Sequence, residues 1–346
     1  MRAARTPIGL GSRELRMTFE VLVFLIVVAL AFDFMNGFHD AANSIATVVS
    51  TGVLKPHQAV AMAAAFNFIA LFVFELKVAT TVGKGIIDYN IVDHYLVFGA
   101  LVGAITWNII TWYYGIPSSS SHALIGGLVG ACIAKVGMGS LVMSGLLKVC
   151  AFIVISPLVG FILASLLMLV FSIFMQRSTP RRVDRWARRL QLVSAAMYSL
   201  GHGGNDAQKT AGIIWLLLIA YGVTGAKEGI PMWVVVACYV TIALGTLFGG
   251  WRIVKTMGQR LTKLKPFQGC CAETGGAITL FVATGMGIPV STTHTITGAI
   301  VGVGSVRRVN AVRWSVAGSL VWAWVLTIPC SAVVAAIAWW VATQIL

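Results

Sequence analysis

Charged residues are scarce in this sequence. Asp, Glu, Lys and Arg make up 10% of its 346 residues, whereas apolar residues make up 58%. A soluble domain typically carries about 25% charged residues, which cover its surface. So low a content excludes the soluble classes. Apolar runs long enough to cross a bilayer recur along the chain, so the composition predicts an all-α integral membrane protein with several crossings.

Acidic residues are scarcer still, with 11 Asp and Glu against 25 Lys and Arg, for a net charge of +14. An excess of positive charge is also found in nucleic-acid-binding proteins. Here, however, the basic residues lie in short segments between apolar runs, and they form no basic stripe with interleaved aromatic residues. This distribution is the one that orients membrane proteins. It predicts the lipid bilayer as a partner and argues against nucleic acid.

Paired cysteine motifs are missing as well. The six Cys lie in apolar runs without CxxC or Cys/His metal spacing, so neither a disulfide framework, a zinc site nor any cofactor is predicted. A cleavable signal peptide is not indicated either. The Arg-rich leader, residues 1–18, precedes an apolar run from Phe19 that has no small-residue cleavage site. Met17 is an alternative start, which would leave most of the leader outside the protein.

The first apolar run is interrupted by polar residues over 33–44, where two Asp, one His and two Asn stand beside a glycine. A carboxylate at membrane depth costs roughly 3 kcal/mol on insertion scales and normally faces a cavity or a partner. We therefore predict a broken helix here that lines a polar site. The stretch recurs, because residues 203–210 align with 37–44 and bring Asp206 onto Asp40.

A second motif is duplicated in the same order. Gly-Ile-Pro-Ser-Ser-Ser-Ser-His at 115–122 returns as Gly-Ile-Pro-Val-Ser-Thr-Thr-His at 287–294. The two pairs of motifs are offset by 166 and 172 residues, which indicates an internal duplication. Both copies are too short and polar for full spans, so we predict re-entrant hairpins at about 115–134 and 287–304. Duplicated halves with matching polar interruptions are typical of transporters with inverted-topology repeats.

A basic segment divides the two halves. Residues 177–189 hold six Arg against one Asp, which predicts a cytoplasmic loop between a first repeat over 19–176 and a second over 190–346. The apolar run 146–176 is too long for one untilted helix and contains Pro157. The sequence leaves open whether this run is one kinked helix or two crossings.

The hydroxyl clusters at the hairpin tips are candidates for an anion site. Their side chains donate hydrogen bonds, and the helix that follows each tip adds free backbone N–H groups in a positive dipole field. For one cluster alone, helix capping and packing between membrane helices is the better interpretation. Two equivalent clusters favour an oxyanion site. The candidate ligands are Ser118, Ser119, Ser120, Ser121, Ser291, Thr292 and Thr293.

The two aligned acids indicate a cation. Asp40 and Asp206 would repel a bound anion by several kcal/mol at low effective dielectric unless a cation lies between them or they carry protons. Oxygen ligands from these acids, Asn43 and Asn205 suit a hard cation such as Na⁺. The alternative is that both acids are structural. Lys209 follows Asp206 by three residues, the spacing of a helical ion pair. Candidate proton relays, each also a candidate structural donor, are His39, His122, His202 and His294.

Four motifs in this order resemble the inorganic phosphate transporter (PiT) family, and the resemblance extends from about residue 33 to 304. They are Asn36-Gly-Phe-His-Asp40-Ala-Ala-Asn43, His202-Gly-Gly-Asn-Asp206, Gly250-Trp-Arg-Ile-Val-Lys-Thr-Met-Gly258 and Gly287-Ile-Pro-Val-Ser-Thr-Thr-His294. The resemblance implies a secondary carrier with inverted repeats that moves inorganic phosphate with Na⁺ or H⁺. Some bacterial members carry a metal–phosphate complex.

The resemblance also implies roles for individual residues. It implies phosphate ligands among the tip hydroxyls together with Asn43 and Asn205. The coupling-ion ligands that it implies are Asp40, Asp206, Asn36, Asn43 and Glu273. The short basic segment lacks the large hydrophilic insert of animal members, which points to a compact bacterial type in the inner (plasma) membrane. His39 departs from the Na⁺-coupled animal motif, so Na⁺ and H⁺ coupling both remain open.

Other functions are less favoured. Sulfate uptake by the same fold stays open. An intramembrane Ser/His hydrolase is disfavoured because Ser121 and His122 are sequence neighbours and the motif occurs twice, whereas an active site needs one nucleophile. We therefore expect no enzyme activity. A channel is less favoured than alternating access. The sequence leaves the oligomeric state open, a homodimer included.

Overall fold

A computed structural model describes residues 12–345. Within that range there is no β-strand, only an isolated bridge between Ile87 and Leu141, which agrees with the predicted all-α class. The α-helices of the described range are α1 (Ser12–Ser50), α2 (Pro56–Ile69), α3 (Lys77–Lys84), α4 (His94–Tyr114), α5 (Ser120–Val136), α6 (Met143–Met175), α7 (Pro180–Ala220), α8 (Met232–Phe248), α9 (Trp251–Lys255), α10 (Pro266–Gly285), α11 (Thr292–Arg307) and α12 (Trp314–Ile345).

Several of these helices are long and apolar enough to cross a membrane. Four qualify alone: the part of α1 from Phe19, α4, α6 and α12. Two bent pairs raise the number to six if each pair is one span, since α2 and α3 meet at 83° and α8 and the segment from α9 to Arg260 meet at 61°. Helix α6 is mostly exposed although it is strongly apolar, as expected for a lipid-facing helix. The multi-pass prediction is confirmed.

The two halves repeat the same order of elements. A long helix, a bent pair, a hairpin and a final long helix make up α1–α6, and the same series makes up α7–α12. Pro157 in α6 and Pro329 in α12 are 172 residues apart, the offset of the hairpin motifs. Packing between the halves is reciprocal: α5 lies against α12 and α11 against α6, while α1 contacts α8 and α2 contacts α7. The opposite membrane orientation of the halves stays a prediction.

Small residues allow the hairpin helices to approach their partners closely. Gly126 and Gly130 of α5 face the backbone of α12, while Gly298 and Gly302 of α11 face the backbone of α6. A Cβ at any of these positions would overlap backbone atoms of the neighbouring helix. Glycines four residues apart are the usual means of close helix contact in membranes. This packing holds both hairpins inside the helix bundle.

The predicted breaks at the acidic stretches are wrong. Both α1 and α7 run through residues 33–44 and 203–210 as uninterrupted helices. The glycines there make room for neighbours, because Gly37 packs on the backbone of α8 and Gly203 on that of α2. Side chains on other helices bond many of the polar groups, so the backbone need not unwind to reach them. The bends lie instead at the α2–α3 and α8–α9 junctions.

The predicted loop over 177–189 is also wrong, because α7 already begins at Pro180. Proline is well suited to the first turn of a helix, where its missing N–H is not needed. Asp184 and Arg188 form an ion pair of 2.9 Å at i,i+4 spacing on this exposed first part of α7. The run 146–176 is a single helix with Pro157 inside it. Of the predicted leader 1–18, residues 12–18 begin α1, and residues 1–11 lie outside the described range.

The predicted hairpins at about 115–134 and 287–304 each hold only a turn and one helix, α5 or α11. The first arm of each hairpin is the preceding helix, α4 or α10, which lies outside the predicted range. Each turn contains a glycine in the left-handed region, Gly115 with φ 65° and Gly287 with φ 69°, a conformation that other residues rarely adopt. Helix α5 has 17 residues and α11 has 16. At a rise of about 1.5 Å per residue each is about 25 Å long, shorter than a bilayer core of about 30 Å. Their length suits arms that end inside the membrane, which stays a prediction.

Candidate functional site

The two hairpin tips meet in the interior of the protein. Thr293 Oγ1 donates a 3.0 Å hydrogen bond to the carbonyl of Ser118, which joins the second tip to the first. The rings of His122 and His294 lie 4.8 Å apart in an edge-on arrangement. All the predicted tip hydroxyls and both imidazoles are buried. The duplicated motifs, far apart in sequence, therefore form one cluster.

Two of the predicted hydroxyls cap helices. Ser119 Oγ accepts from the backbone N–H of His122, and Ser291 Oγ accepts from that of His294, each at 3.2 Å. These are N-cap bonds, which satisfy one of the free N–H groups of α5 and of α11. Ser120 differs, because its hydroxyl is buried and has no hydrogen-bond partner among residues 12–345. Of the three, only Ser120 has a hydroxyl oxygen with no hydrogen bond among the described residues.

A chain of hydrogen bonds links Asp40 to the first tip. His39 Nδ1 lies 2.6 Å from Asp40 Oδ1, and its Nε2 lies 3.1 Å from Thr111 Oγ1 on α4. Ser118 Oγ donates to the same Thr111 hydroxyl at 2.9 Å. His39 thus contacts the acid directly, as a candidate proton relay must. Thr111 lies outside both duplicated motifs, so the sequence did not single it out.

Asn43 links α1 to the second tip. Its Nδ2 donates to Thr292 Oγ1 at 3.1 Å and to Thr293 Oγ1 at 2.9 Å. Thr292 Oγ1 in turn donates to Asp206 Oδ2 at 3.2 Å. The carboxylate of α7 is therefore connected to the amide of α1 through one hydroxyl of the hairpin. Thr292 already holds two partners, so a ligand that bonds it must rearrange these contacts.

Asp206 is paired with a lysine on its own helix. Lys209 Nζ lies 2.5 Å from Asp206 Oδ1, which confirms the ion pair indicated by the three-residue spacing. The same ammonium donates to Ser121 Oγ at 2.5 Å and to the carbonyl of Val290 at 2.7 Å. It therefore contacts both hairpin tips. Lys209 is fully buried, and its three donors are matched by three oxygen atoms.

Asp40, His202 and Asp206 could together hold a metal ion, because one ligand atom of each lies within 4.8 Å of the others. His202 Nε2 lies 3.4 Å from Asp206 Oδ2, and its Nδ1 contacts Asn67 Oδ1 at 3.1 Å. Three predicted amide oxygens are buried without a partner among the described residues: the Oδ1 atoms of Asn36, Asn43 and Asn205. Carboxylate and amide oxygens are ligands that hard cations prefer.

Asn205 belongs to the second tip. Its Nδ2 donates to Thr284 Oγ1 at 2.9 Å and to the carbonyl of Ile288 at 3.2 Å. Thr284 lies at the end of α10 and Ile288 in the turn that follows, so the amide of α7 fixes the start of the hairpin turn. Its free oxygen is an acceptor for a cation or for a protonated ligand.

Glu273 forms a separate cluster. Its carboxylate, on α10, accepts hydrogen bonds from Thr47 Oγ1 at 2.5 Å, Gln191 Nε2 at 3.1 Å and Ser194 Oγ at 2.6 Å. These donors come from α1 and α7 and are neutral. The acid is therefore solvated by the protein without a countercharge among these contacts. None of the three donors was identified from the sequence.

The other two predicted relays, His122 and His294, contact each other and an aromatic ring. His294 stacks on Trp324 of α12 with ring centroids 4.0 Å apart. Within the described range no hydrogen bond joins a serine or threonine hydroxyl to the ring of His122 or His294. The sequence assigned no role to Asp33. Its carboxylate accepts a 2.7 Å hydrogen bond from Thr210 Oγ1, which connects α1 to α7.

Residues 36–335 match the model of the phosphate transporter family. A protein named "Probable low-affinity inorganic phosphate transporter" from Rhizobium meliloti (strain 1021) is 63% identical over 326 residues, covering 94% of this chain and 98% of that protein. A protein of the same name from Bacillus subtilis (strain 168) is 44% identical over 328 residues, with 94% and 98% covered.

A solved structure named "The sodium-dependent phosphate transporter" superposes with a TM-score of 0.86. It covers 94% of this chain and 100% of that chain at 24% sequence identity, which shows a common fold. The family match spans most of the chain, and the relatives align along nearly their whole length. The chain is thus a multi-pass membrane protein that belongs to the phosphate transporter family, a class of transporters rather than of enzymes.

Proposed function

We propose that this protein carries inorganic phosphate across the inner membrane together with a coupling cation, Na⁺ or H⁺. The observation that supports it best is the convergence of both duplicated motifs on one buried cluster between α1 and α7. Hydrogen-bond donors for an oxyanion and acids for a cation stand side by side there. The relatives' names agree with phosphate as the substrate.

The anion binds at the hairpin tips. The first turns of α5 and α11 point free N–H groups toward the cluster, and the dipoles of both helices favour negative charge there. Ser120 adds a hydroxyl that has no other partner in the described range. The caps from Ser119 and Ser291 hold the two helix starts in shape. Two helix N-termini meeting at one point suit a doubly charged oxyanion better than either alone.

Phosphate is preferred to sulfate because it retains a proton near neutral pH. The free amide oxygens of Asn43 and Asn205 are acceptors that a P–OH group can satisfy. Sulfate can only accept, so it leaves those acceptors facing a bare oxygen. Sites built around a substrate hydrogen bond discriminate strongly against analogues that lack it.

The coupling cation binds beside the anion. Asp40 and Asp206, with the free oxygen of Asn36, are its ligands, and Glu273 serves a second, separate step of ion passage. For H⁺ coupling, Asp40 is the group that carries the proton, and His39, 2.6 Å away, is its candidate relay. A cation in this cluster offsets the repulsion between the carboxylates and the anion. Bound anion and cation therefore stabilise each other, which is the basis of coupling.

Access alternates between the two sides as the halves move against each other. Support comes from the repeated order of elements and from the reciprocal packing of each hairpin helix on the last helix of the other half. A repeat inverted in the membrane would allow the two packings to exchange roles, opening one side and then the other. The site at the junction of the halves is then exposed to each side in turn.

The test is uptake of labelled phosphate into proteoliposomes under an imposed Na⁺ or pH gradient. We expect uptake that one of the two gradients accelerates and that a tenfold excess of sulfate barely reduces. Equal competition by sulfate would show that the site does not select phosphate over sulfate. Uptake that neither gradient changes would refute coupling to a cation. Asp40→Asn serves as the matched negative control, since Asn preserves the shape of the side chain without the charge.

A further inference from the structure

The surroundings of the Lys209 ammonium resemble a cation-binding site. Its Nζ is enclosed by a carboxylate oxygen of Asp206 at 2.5 Å, the Ser121 hydroxyl at 2.5 Å and the Val290 carbonyl at 2.7 Å. Carboxylate, hydroxyl and carbonyl oxygens are the ligands that transporters offer to coupling ions. The lysine is buried. Chemically, a positive charge already occupies an oxygen cage next to the anion site.

The internal duplication shows that the position of Lys209 carries a different kind of side chain in the two halves. In the alignment that brings Asp206 onto Asp40, Lys209 falls on Asn43. Both side chains reach across to the hairpin tip of the other half, Asn43 to Thr292 and Thr293, and Lys209 to Ser121. Equivalent positions thus carry a neutral amide in one half and a cation in the other. The amide leaves a free oxygen, whereas the ammonium leaves no acceptor.

A purely structural ion pair with Asp206 explains the buried Lys209 less well than a role in binding does. Burying two charges as a pair gives little net stability compared with neutral groups of the same size. The duplicated half shows that a neutral side chain can pack at the equivalent position. The lysine also bonds Ser121, next to the free hydroxyl of Ser120, so its charge lies between the acid and the proposed anion site. Its location favours a role in binding.

We propose that Lys209 is a tethered cation that permanently fills the cation position of the second half. This inference rests on the proposed function and narrows it. The carboxylate of Asp206 is then occupied by the ammonium, so the proposed ligands of the mobile cation reduce to Asp40 and Asn36. The second half exchanges no mobile ion. The carrier therefore couples each phosphate to one mobile cation fewer than a carrier with two vacant positions, while the ammonium supplies fixed positive charge to the anion site.

The experiment compares Lys209→Ala, which opens the cage, with Lys209→Met, which removes the charge but keeps the space filled. Melting temperatures of the purified proteins are measured without phosphate, in NaCl and in choline chloride of equal ionic strength. We expect Na⁺ to raise the melting temperature of Lys209→Ala by more than it raises that of the wild type. Lys209→Met should show no such extra shift. Methylammonium chloride, which mimics the lost group, should stabilise Lys209→Ala as Na⁺ does.

Transport supplies the second readout. In choline chloride the apparent phosphate affinity of Lys209→Ala should fall about tenfold or more, because the fixed positive charge beside the anion site is lost, and NaCl should restore it. NaCl should not restore the phosphate affinity of Lys209→Met. Equal salt responses of the two variants would overturn the inference. Lys209→Asn, which reproduces the Asn43 of the first half, is purified as a second variant. If neither the Ala nor the Asn protein can be recovered in NaCl, that result also counts against a refillable site.

The two proposals fail in different ways. Absence of phosphate uptake by the wild type would refute the proposed function, yet the salt-dependent melting of Lys209→Ala would still report a vacated cation site. Cation-coupled uptake by the wild type, together with identical salt responses of Lys209→Ala and Lys209→Met, would refute the tethered cation alone.

Discussion

Neighbouring serines at the first hairpin tip should respond to alanine in opposite ways. Ser119 Oγ accepts the N–H of His122 at 3.2 Å, whereas Ser120 Oγ is buried without a partner in the described range. Losing an N-cap costs about 1 kcal/mol of stability. Removing an unpartnered buried hydroxyl instead relieves a desolvation cost of about 1–3 kcal/mol. Without phosphate, Ser119→Ala should therefore melt earlier than the wild type, and Ser120→Ala should melt at the same temperature or later.

The effects on phosphate affinity should be the reverse: Ser120→Ala should weaken it, and Ser119→Ala should change it little. If Ser120 donates to the bound oxyanion, its loss removes a hydrogen bond to a charged group worth about 1.5–3 kcal/mol. That corresponds to a tenfold to hundredfold weaker affinity at constant cation concentration. The Ser119 side chain is held by its cap bond to His122, so Ser119→Ala should stay closer to the wild type. Each variant is thus the matched control of the other, since both lose a single hydroxyl at the same tip.

Two measurements on the same protein preparations test the opposite effects expected for Ser119→Ala and Ser120→Ala. Thermal unfolding in phosphate-free detergent gives stability, and the concentration dependence of labelled uptake in proteoliposomes gives affinity. Wild-type affinity in Ser120→Ala would show that this hydroxyl does not contact the substrate. A large affinity loss in Ser119→Ala without any loss of stability would contradict its assignment as a cap and make it the ligand instead.

Other predictions concern the acids, the packing and the topology. Asp40→Asn should abolish cation-coupled uptake while the protein stays inserted, because neutral Asn is easier to bury than a carboxylate; unchanged uptake and cation dependence would make this acid structural. Gly298→Ala should lower thermal stability by about 1–3 kcal/mol through overlap with the α6 backbone, whereas Gly318→Ala, with nothing within 4 Å, should not. In a cysteine-free background, Asn90→Cys and Lys263→Cys should be labelled from opposite faces of the membrane, and labelling from the same face would rule out an inverted repeat.

Local sequence patterns determined several features of this protein. Composition and apolar runs are sufficient for the membrane class, because the bilayer demands apolar surface along every span. The duplication is visible because two motifs keep their order and spacing. The ion pair between Asp206 and Lys209 is also predictable, since residues three apart on a helix are neighbours wherever the helix packs.

The continuity of α1 and α7 could not be predicted in the same way. The polar stretch over 33–44 predicts a helix break only if unwound backbone has to supply the hydrogen-bond partners of its polar side chains. Instead Thr111 of α4 reaches His39, and Thr292 of α11 reaches Asn43. These partners lie in other helices, many residues away. Whether a polar residue interrupts a membrane helix depends on such contacts, which only the packed structure reveals.

The sequence alone determined the class, the duplication and the residue types of the candidate site. Tertiary structure decided which atoms meet. Ser119 and Ser120 are adjacent and chemically identical, yet one caps α5 and the other is free, because the helix begins between them. Glu273 finds Thr47, Gln191 and Ser194 only through the packing of α10 on α1 and α7. Hydrogen bonds act over about 3 Å, so partners distant in sequence are set by helix packing and not by local pattern.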